Sequence, residues 1–311
     1  MDTKTVNVKS YANIAIIKYW GKDDAKKMIP TTSSISLTLE NMYTETSLSF
    51  LPVEAQADQF YIDGQLQNQA EHAKVTAIID QFRQENQPYV KVDTENNMPT
   101  AAGLSSSSSG LSALVKACNE LFETDLSQKE LALKAKFASG SASRSFFGPL
   151  AAWDRESGEI YPVETDLKLG MIMLVINDAR KPVSSREGMK LCRETSTTFD
   201  KWRTESAQDY KDMLAYLKAN DFEKVGQLTE KNALAMHATT KSSTPSFSYL
   251  IEGSYKAMDK VKELRQAGFQ CYFTMDAGPN VKVLCLEKDL EQLASIFEKD
   301  FDIIVSKTKE L

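Results

Sequence analysis

The chain has 311 residues, of which 42% are hydrophobic and 26% charged, and this size and balance predict a globular protein of two domains. The net charge of −6 argues against a broad nucleic-acid surface, so an anionic ligand would need locally clustered cations. No apolar run approaches the roughly 20 residues of a membrane span and no signal-type stretch opens the chain, which predicts a cytoplasmic protein without membrane contact.

Alternating and turn patterns predict four strands and three helices before residue 140. The predicted strands are Lys4–Lys9, Met42–Phe50, Gln59–Ile62 and Tyr89–Thr94, with Asp63-Gly64 as a turn. The predicted helices are His72–Phe82, a helix after Gly110 with Leu111, Leu114, Val115, Cys118, Leu121 and Phe122 on one face, and a helix from the Ser127–Glu130 capping box to about Ala138. Ser139-Gly140 ends the third helix.

The second half predicts a buried strand, a helical segment and a final group of strands. Met171–Asn177 is a continuous apolar run, typical of a buried strand. Two helical stripes follow, and both predict core-facing positions: one has Tyr210, Met213, Leu214 and Leu217, the other Tyr255, Met258, Val261 and Leu264. The strands Phe269–Met275, Val281–Leu286 and Asp302–Val305 surround a helix with Leu290, Leu293, Ile296 and Phe297 inward. Strands and helices without strict βαβ alternation predict an α+β fold, with a domain boundary near residues 165–170.

Cysteine and histidine usage excludes several kinds of site. The four cysteines form no C-x-x-C pair, and Cys118, Cys271 and Cys285 lie in apolar patterns that predict buried thiols. His72 and His237 are too few for a His-rich metal site, and neither adjoins a nucleophile motif.

The segment from Pro99 to Gly110 places small residues and five consecutive serines before a periodic helix. A helix N-terminus flanked by small residues exposes backbone N–H groups to an anion, so the segment predicts a phosphate cradle. A flexible linker is the alternative for a serine tract. The segment is neither a P-loop nor a dinucleotide fingerprint, because neither glycine pattern occurs in the chain.

Three other clusters combine cations with small residues, or end a strand with a carboxylate. Lys18 and Lys22 bracket Tyr19-Trp20-Gly21, which predicts an anion site or, alternatively, a solvated helix face. Arg144 ends the small-residue segment Ser139–Ser143, where its guanidinium suits bidentate capture of a carboxylate or phosphate. Asp276 follows an apolar strand before Gly278-Pro279, as a general base or as an Asx-turn residue.

A fourth cluster follows the buried strand Met171–Asn177. It contains Lys181, Ser185 and Arg186, and taken by itself it predicts an ordinary polar loop.

Four motifs, in this order, resemble the GHMP kinase superfamily and within it the diphosphomevalonate decarboxylase family. They are Asn13–Lys22 (NIAIIKYWGK), Pro99–Ser108 (PTAAGLSSSS), Gly140–Arg144 (GSASR) and Phe273–Asn280 (FTMDAGPN). The resemblance implies an α/β N-terminal domain over residues 1–167 and a ferredoxin-like C-terminal domain over residues 168–311, with the active site in the cleft between them. It also implies ATP-dependent decarboxylation of (R)-5-diphosphomevalonate to isopentenyl diphosphate, with ATP and Mg2+ bound, in a homodimer.

The resemblance further implies a role for each matching residue. Asp276, Arg144, Lys18 and Asn13 would be catalytic, with Asp276 acting on the 3-hydroxyl as a base or an orienter and Arg144 holding the carboxylate. The substrate-binding set would be Tyr19, Trp20, Gly21, Lys22, Lys74, Ser139, Gly140, Ser141, Ala142, Ser143, Arg144, Lys181, Ser185, Arg186 and Met189. The ATP-binding set would be Asn96, Gly103, Leu104, Ser105, Ser106, Ser107 and Ser108, with Ser106 as a metal ligand.

One departure separates the chain from the sister kinases. Where small-molecule kinases of the superfamily usually carry an aspartate, this chain has Gly140-Ser-Ala-Ser, which weighs against a plain mevalonate-type kinase. Such a kinase, phosphorylating without decarboxylation, and a non-catalytic protein of the same fold stay as the alternatives. With few protein ligands in prospect, the metal would be held mostly by ATP and water.

Overall fold

The structure, a computed structural model, describes residues 4–98, 106–177 and 182–311. The strands of its first half are β1 (Thr5–Ile17), β2 (Lys22–Asp24), β3 (Ile29–Pro30), β4 (Ser34–Phe50), β5 (Gln59–Ile62), β6 (Gln65–Leu66), β7 (Val90–Asn96), β8 (Leu150–Trp153) and β9 (Ile160–Pro162). Seven of them form one sheet in the order β6-β5-β7-β4-β8-β9, with β1 also paired to β4, while β2 and β3 form a separate ribbon. The predicted strand Gln59–Ile62 is confirmed.

The strand β1 is longer than the sequence pattern predicts. Its first residues alternate between exposed and buried, but it is buried without interruption from Ala12 to Ile17. A strand buried on both faces has no alternation, so the pattern marks only Lys4–Lys9. Because the chain is extended up to Ile17 and a loop follows, the alternative of a solvated helix face carrying Lys18 and Lys22 is wrong.

Three helices and a 3-10 turn belong to the first half. They are α1 (Gln69–Ile79), α2 (Ser106–Leu121), α3 (Gln128–Ala138) and the turn Ala142–Phe146. The capping box of α3 is confirmed, since the Ser127 N–H donates to Glu130 Oε2 at 2.9 Å and the Glu130 N–H donates to Ser127 Oγ at 3.4 Å. The prediction His72–Phe82 is displaced, because Asn68 caps α1 by accepting a hydrogen bond from the Glu71 N–H.

The described residues of the second half form a four-stranded antiparallel sheet and five α-helices. The strands are β10 (Leu169–Val175), β11 (Cys271–Met275), β12 (Val281–Leu286) and β13 (Asp302–Lys307), and the helices are α4 (Ser185–Thr195), α5 (Phe199–Lys218), α6 (Phe222–Lys241), α7 (Glu252–Gln266) and α8 (Leu290–Phe297). The sheet order is β11-β12-β10-β13. The α+β prediction is confirmed, and all four cysteines are buried. Tyr255 is exposed at the rim of the stripe on α7, a correction to its predicted core position.

The two halves share one hydrophobic core. Ile14 and Leu37 of the first sheet pack in the same buried cluster as Met171 of β10 and Met213 of α5. This shared core brings the end of β1 against the end of β11, where two of the predicted site residues lie. The boundary between residues 167 and 168 stays a prediction.

Candidate active site

An ion pair joins the two halves at the strand ends. Lys18 follows β1 and Asp276 follows β11, and Lys18 Nζ donates to Asp276 Oδ1 at 2.7 Å and to the Ala15 carbonyl at 2.7 Å. The Lys18 side chain is 2% exposed and that of Asp276 is 22% exposed. Two residues that are 258 positions apart in the sequence therefore form one charged centre.

The backbone of Lys18 is held by the helices of the second half. Its N–H donates to Asn232 Oδ1 at 2.8 Å, and Asn232 Nδ2 donates to Asp209 Oδ2 at 2.9 Å. Because the carboxylate of Asp209 accepts only, it fixes the amide of Asn232 with its oxygen toward Lys18. The sequence argument missed both residues, although Asp209 and Asn232 occupy inward-facing positions on α5 and α6, and a polar residue at such a position is a usable signal.

Burial and charge oppose each other at this centre. Burial favours the neutral Asp276 carboxyl, but the charges of Lys18 and Lys282 outweigh it and hold the pKa of Asp276 below its ordinary value. Burial also lowers the pKa of Lys18 to about 8, against the opposing attraction of Asp276. Asp276 is therefore an anion and a weak base, flanked by cations.

Arg144 lies in the 3-10 turn with a side chain that is 2% exposed. Nε donates to Ser36 Oγ at 3.0 Å and Nη1 donates to Ser34 Oγ at 2.7 Å, so β4 fixes the plane of the guanidinium. Burial lowers the pKa of Arg144 to about 10, which leaves it charged at neutral pH. Nη2 has no hydrogen-bond partner in the described part of the chain. The terminal fork is thus available for a bidentate anion.

Asn13 and Gly140 shape the floor beside this arginine. Asn13 Nδ2 donates to the Ser141 carbonyl and to Ser145 Oγ, each at 2.8 Å. Asn13 Oδ1 is buried and accepts no hydrogen bond from the residues that the structure describes. A Cβ at Gly140 would lie 2.6 Å from ring carbons of Tyr19, so only glycine allows this close approach.

A Gly140→Ala variant tests this approach. The added methyl group must displace the Tyr19 ring, which packs on Trp153 with ring centroids 5.3 Å apart. We expect a loss of about 1 to 3 kcal/mol in the free energy of unfolding, measured by urea denaturation. Gly110→Ala is the control, because a Cβ there meets nothing within 4 Å. Equal free energies of unfolding in the two variants would contradict the packing argument.

Tyr19, Lys22 and Arg186 form a second, cationic end of the site. The Tyr19 hydroxyl is buried without a partner among the described residues, and Arg144 and Arg186 both act on it electrostatically. Burial and the nearby charge of Arg186 lower the pKa of Lys22. Ser185, Arg186 and Met189 lie in the first turns of α4, whose N-terminus is capped by Ser184. Cations at a helix N-terminus are suited to bind a diphosphate.

Several other predicted site residues are buried, or contact residues outside the charged centre. Trp20 is a core residue whose Nε1 donates to Thr239 Oγ1 at 3.0 Å, and its contact with substrate stays a prediction. Gly21 has a φ of +108° and no room for a Cβ beside Phe199. Lys74 lies on α1, exposed and paired with Glu71, and forms no hydrogen bond or ion pair with another described site residue. In the 3-10 turn, Ala142 is buried, and Ser143 Oγ donates to the Gly140 carbonyl at 2.9 Å. Ser139 Oγ lies 3.1 Å from Ser141 Oγ.

The serines at the start of α2 differ in burial and in their contacts. Ser107 is exposed in the first turn of α2, whereas Ser108 is buried and its Oγ accepts from the Asn13 N–H at 3.3 Å. Since residues 106–110 are helical, the linker alternative is wrong for them. Asn96 Oδ1 accepts from Thr44 Oγ1 at 2.7 Å. Gly103, Leu104, Ser105 and Lys181 lie outside the described residues, as does the side chain of Ser106.

The described residues contain neither a cluster of metal-ligating side chains nor a helix suited to a membrane. Within ranges 4–98, 106–177 and 182–311, no group of three or more His, Cys, Asp and Glu side chains is placed to hold a metal ion. Over the same ranges, no helix has both the length and the apolar character that crossing a bilayer requires.

Comparison with known proteins places both halves of the chain in one group. Residues 10–160 match the model of the diphosphomevalonate decarboxylase-like N-terminal domain, and residues 171–310 match that of the mevalonate 5-diphosphate decarboxylase C-terminal domain. The structure of mevalonate pyrophosphate decarboxylase from Streptococcus pyogenes is 73% identical, with a TM-score of 0.97 over 100% of this chain and 98% of that chain.

Two further relatives add breadth and ligands. Diphosphomevalonate decarboxylase mvd1 of Aspergillus fumigatus is 34% identical over 91% of this chain and 77% of its own length. A structure described as MDDEF in complex with MVAPP, AMPPCP and magnesium is 39% identical, with a TM-score of 0.92 over 99% of this chain and 98% of that chain.

Proposed function

The chain belongs to the diphosphomevalonate decarboxylase family, and we propose that Asp276, Lys18 and Arg144 carry the reaction of that family in the cleft between its two halves. The reaction is the ATP-dependent decarboxylation of mevalonate diphosphate to isopentenyl diphosphate, with ADP, phosphate and CO2. The observation that supports these roles best is the Lys18–Asp276 pair at 2.7 Å, with Lys282 on the second carboxylate oxygen.

Phosphoryl transfer is the first step. The 3-hydroxyl oxygen of the substrate attacks the γ-phosphorus of ATP, a new O–P bond forms, and the bond to ADP breaks. A tertiary hydroxyl is a poor nucleophile. Asp276 therefore accepts a hydrogen bond from the 3-hydroxyl and orients the hydroxyl oxygen toward the phosphorus. As the O–P bond forms, the hydroxyl proton passes along this hydrogen bond to Asp276 and from there to water, since a carboxylate with a lowered pKa retains a proton poorly. Lys18 stands by the transferred phosphate, where its charge stabilises the transition state.

Decarboxylation is the second step. The C3–O bond breaks and phosphate leaves with its electron pair, while the electrons of the bond between C2 and the carboxylate carbon form the C2=C3 double bond and CO2 departs. The two bonds break together only when they are aligned. The Nη1 and Nη2 groups of Arg144 hold the carboxylate in that alignment, because β4 fixes the guanidinium plane through Ser34 and Ser36.

The cationic end of the site binds the substrate diphosphate. Tyr19, Lys22 and Arg186 surround it, and Asn13 Oδ1 offers an acceptor for a substrate hydroxyl. The net charge of −6 makes this local cluster necessary, since the field of the whole protein repels a diphosphate.

ATP and Mg2+ occupy the side of the cleft at the start of α2. The relative described as a complex with MVAPP, AMPPCP and magnesium supports the binding of such ligands, and the serine run of this chain is the reason that we place them here. The described residues offer hydroxyls here rather than a carboxylate cluster, a donor set that suits an ion held mainly by ATP oxygens and water. A bound Mg2+ neutralises phosphate charge. From the family resemblance we also propose a cytoplasmic homodimer with its domain boundary at residues 167 and 168.

The test is a coupled assay with ATP and (R)-5-diphosphomevalonate that measures ADP and CO2 together. We expect equimolar ADP and CO2. ADP without CO2 would identify a kinase that stops at the 3-phosphate, and the absence of ATP turnover would indicate a non-catalytic protein of this fold. Mevalonate and 5-phosphomevalonate serve as control substrates, and we expect neither to release CO2.

A further inference from the structure

Lys282 is a buried cation that the two steps above do not use. It lies in β12, where the sequence predicts only an apolar strand, and its side chain is 0% exposed. Its cross-strand neighbours are Met173 and Thr274. A charged lysine in such surroundings is costly unless its charge serves a neighbouring group.

The group that Lys282 faces is Asp276. Lys282 Nζ lies 3.3 Å from Asp276 Oδ2 and donates to the Asn280 carbonyl at 3.3 Å. Lys18 Nζ takes the other carboxylate oxygen, Oδ1. Asp276 Oδ2 is buried and accepts no regular hydrogen bond within the described ranges, and Lys282 acts on it electrostatically from 3.3 Å.

The two lysines differ in their place in the fold. Lys18 stands in a loop at the junction of the halves, where the proposed reaction shares its charge with the transferred phosphate. Lys282 is enclosed in the sheet behind Asp276 and has no surface from which to contact substrate. When Lys18 interacts with the transferred phosphate, Lys282 remains beside Asp276 as its neighbouring cation.

We propose that Lys282 is a positioning residue for phosphoryl transfer, which fixes the Asp276 carboxylate from behind and keeps it ionised while Lys18 engages the transferred phosphate. The inference rests on the role of Asp276 proposed above. It assigns no contact with substrate to Lys282, which acts through Asp276 alone.

Among the residues that the structure describes, four charged or titratable groups face Asp276 from the elements packed around it. They are Lys18 from the loop after β1, Lys282 from β12, Arg144 from the 3-10 turn and His237 from α6. Burial lowers the pKa of His237 to about 3, so it carries no charge at neutral pH. Removing Lys282 takes away a cation that favours the carboxylate, and the pKa of Asp276 must rise.

The test is a Lys282→Met variant, assayed for CO2 release across pH. We expect kcat to fall about tenfold or more and the acidic limb of its pH profile to move up by about 1 to 3 units, while KM for mevalonate diphosphate changes less than about threefold. A merely structural role would lower Tm without moving the limb. A folded variant with an unmoved limb would overturn the proposal.

Lys116→Met is the matched control. Lys116 lies on α2, where burial lowers its pKa to about 8 and Nζ donates to Ser10 Oγ at 3.1 Å. It has no place in the proposed machinery, so its loss should leave the acidic limb where it is. A limb that moved equally in both variants would show a general response to losing a buried lysine and overturn the proposal.

A double-mutant cycle covers the case in which Lys282→Met does not fold. The pair Asp276→Asn with Lys282→Met leaves no buried carboxylate facing a missing cation, and it should release CO2 at the same residual rate as Asp276→Asn. A further tenfold loss would overturn the proposal. If Asp276→Asn itself kept the wild-type rate, the role of Asp276 would fail, whereas an inactive Asp276→Asn beside an unmoved limb in Lys282→Met refutes only the inference on Lys282.

Discussion

An Asp276→Ala variant is expected to release no measurable CO2 while it still binds mevalonate diphosphate within about tenfold of the wild-type affinity, a loss near 1.4 kcal/mol. The carboxylate is the group that orients the 3-hydroxyl, so its loss removes an interaction made in the transition state. Binding depends mainly on the cationic end around Lys22 and Arg186, which the substitution leaves in place. Calorimetric titration for affinity and trapped CO2 for turnover measure the two effects separately.

Two controls separate chemistry from damage to the fold in this experiment. Alanine at 276 leaves Lys18 and Lys282 facing each other without their anion, so Asp276→Asn is needed as a variant of unchanged shape. Asp93→Ala removes a half-buried carboxylate paired with Lys91 on β7 and should keep the wild-type rate. CO2 release near the wild-type rate in Asp276→Ala would remove Asp276 from the mechanism.

Local sequence signals predicted the elements whose boundaries depend on local chemistry. The Ser127 capping box gave the start of α3, and the apolar run from Met171 gave most of β10. The second half of β1 escaped prediction because it is buried on both faces and carries no alternation. The short ribbon of β2 and β3 escaped because its pairing, and not its composition, makes it a strand pair.

In the candidate site too, residues in local motifs were predicted and their distant partners were not. Lys18, Arg144 and Asp276 stand in distinctive local motifs, and each was found in the sequence. Their partners Ser34, Ser36, Asn232 and Lys282 were not, because each comes from a distant strand or helix and is unremarkable in its own segment. A polar residue inside a buried strand or on the inward stripe of a helix is the signal that would have found Lys282 and Asn232.

An Arg144→Lys variant is expected to lose about 100-fold in turnover, although it keeps the positive charge. The guanidinium donates hydrogen bonds from Nε to Ser36 and from Nη1 to Ser34, and it presents a planar fork to the substrate carboxylate. A lysine ammonium is a single point donor, so it cannot hold β4 and grip a carboxylate in one plane. Steady-state kinetics should show the loss in kcat. The rates of ADP and CO2 formation should fall together if the substrate carboxylate is aligned before phosphoryl transfer.

Arg265→Lys is the control that separates loss of an arginine fork from loss of catalysis. Arg265 forms a bidentate pair with Glu230, at 2.7 Å and 3.2 Å, and neither residue has a proposed role in the reaction. Its replacement should lower the free energy of unfolding and leave kcat unchanged, because the fork joins α7 to Glu230 of α6 and to the Cys271 carbonyl and contacts none of the groups proposed to react. If Arg144→Lys also kept its kcat, the substrate carboxylate would be held by another group, and the alignment argument for Arg144 would fall with it.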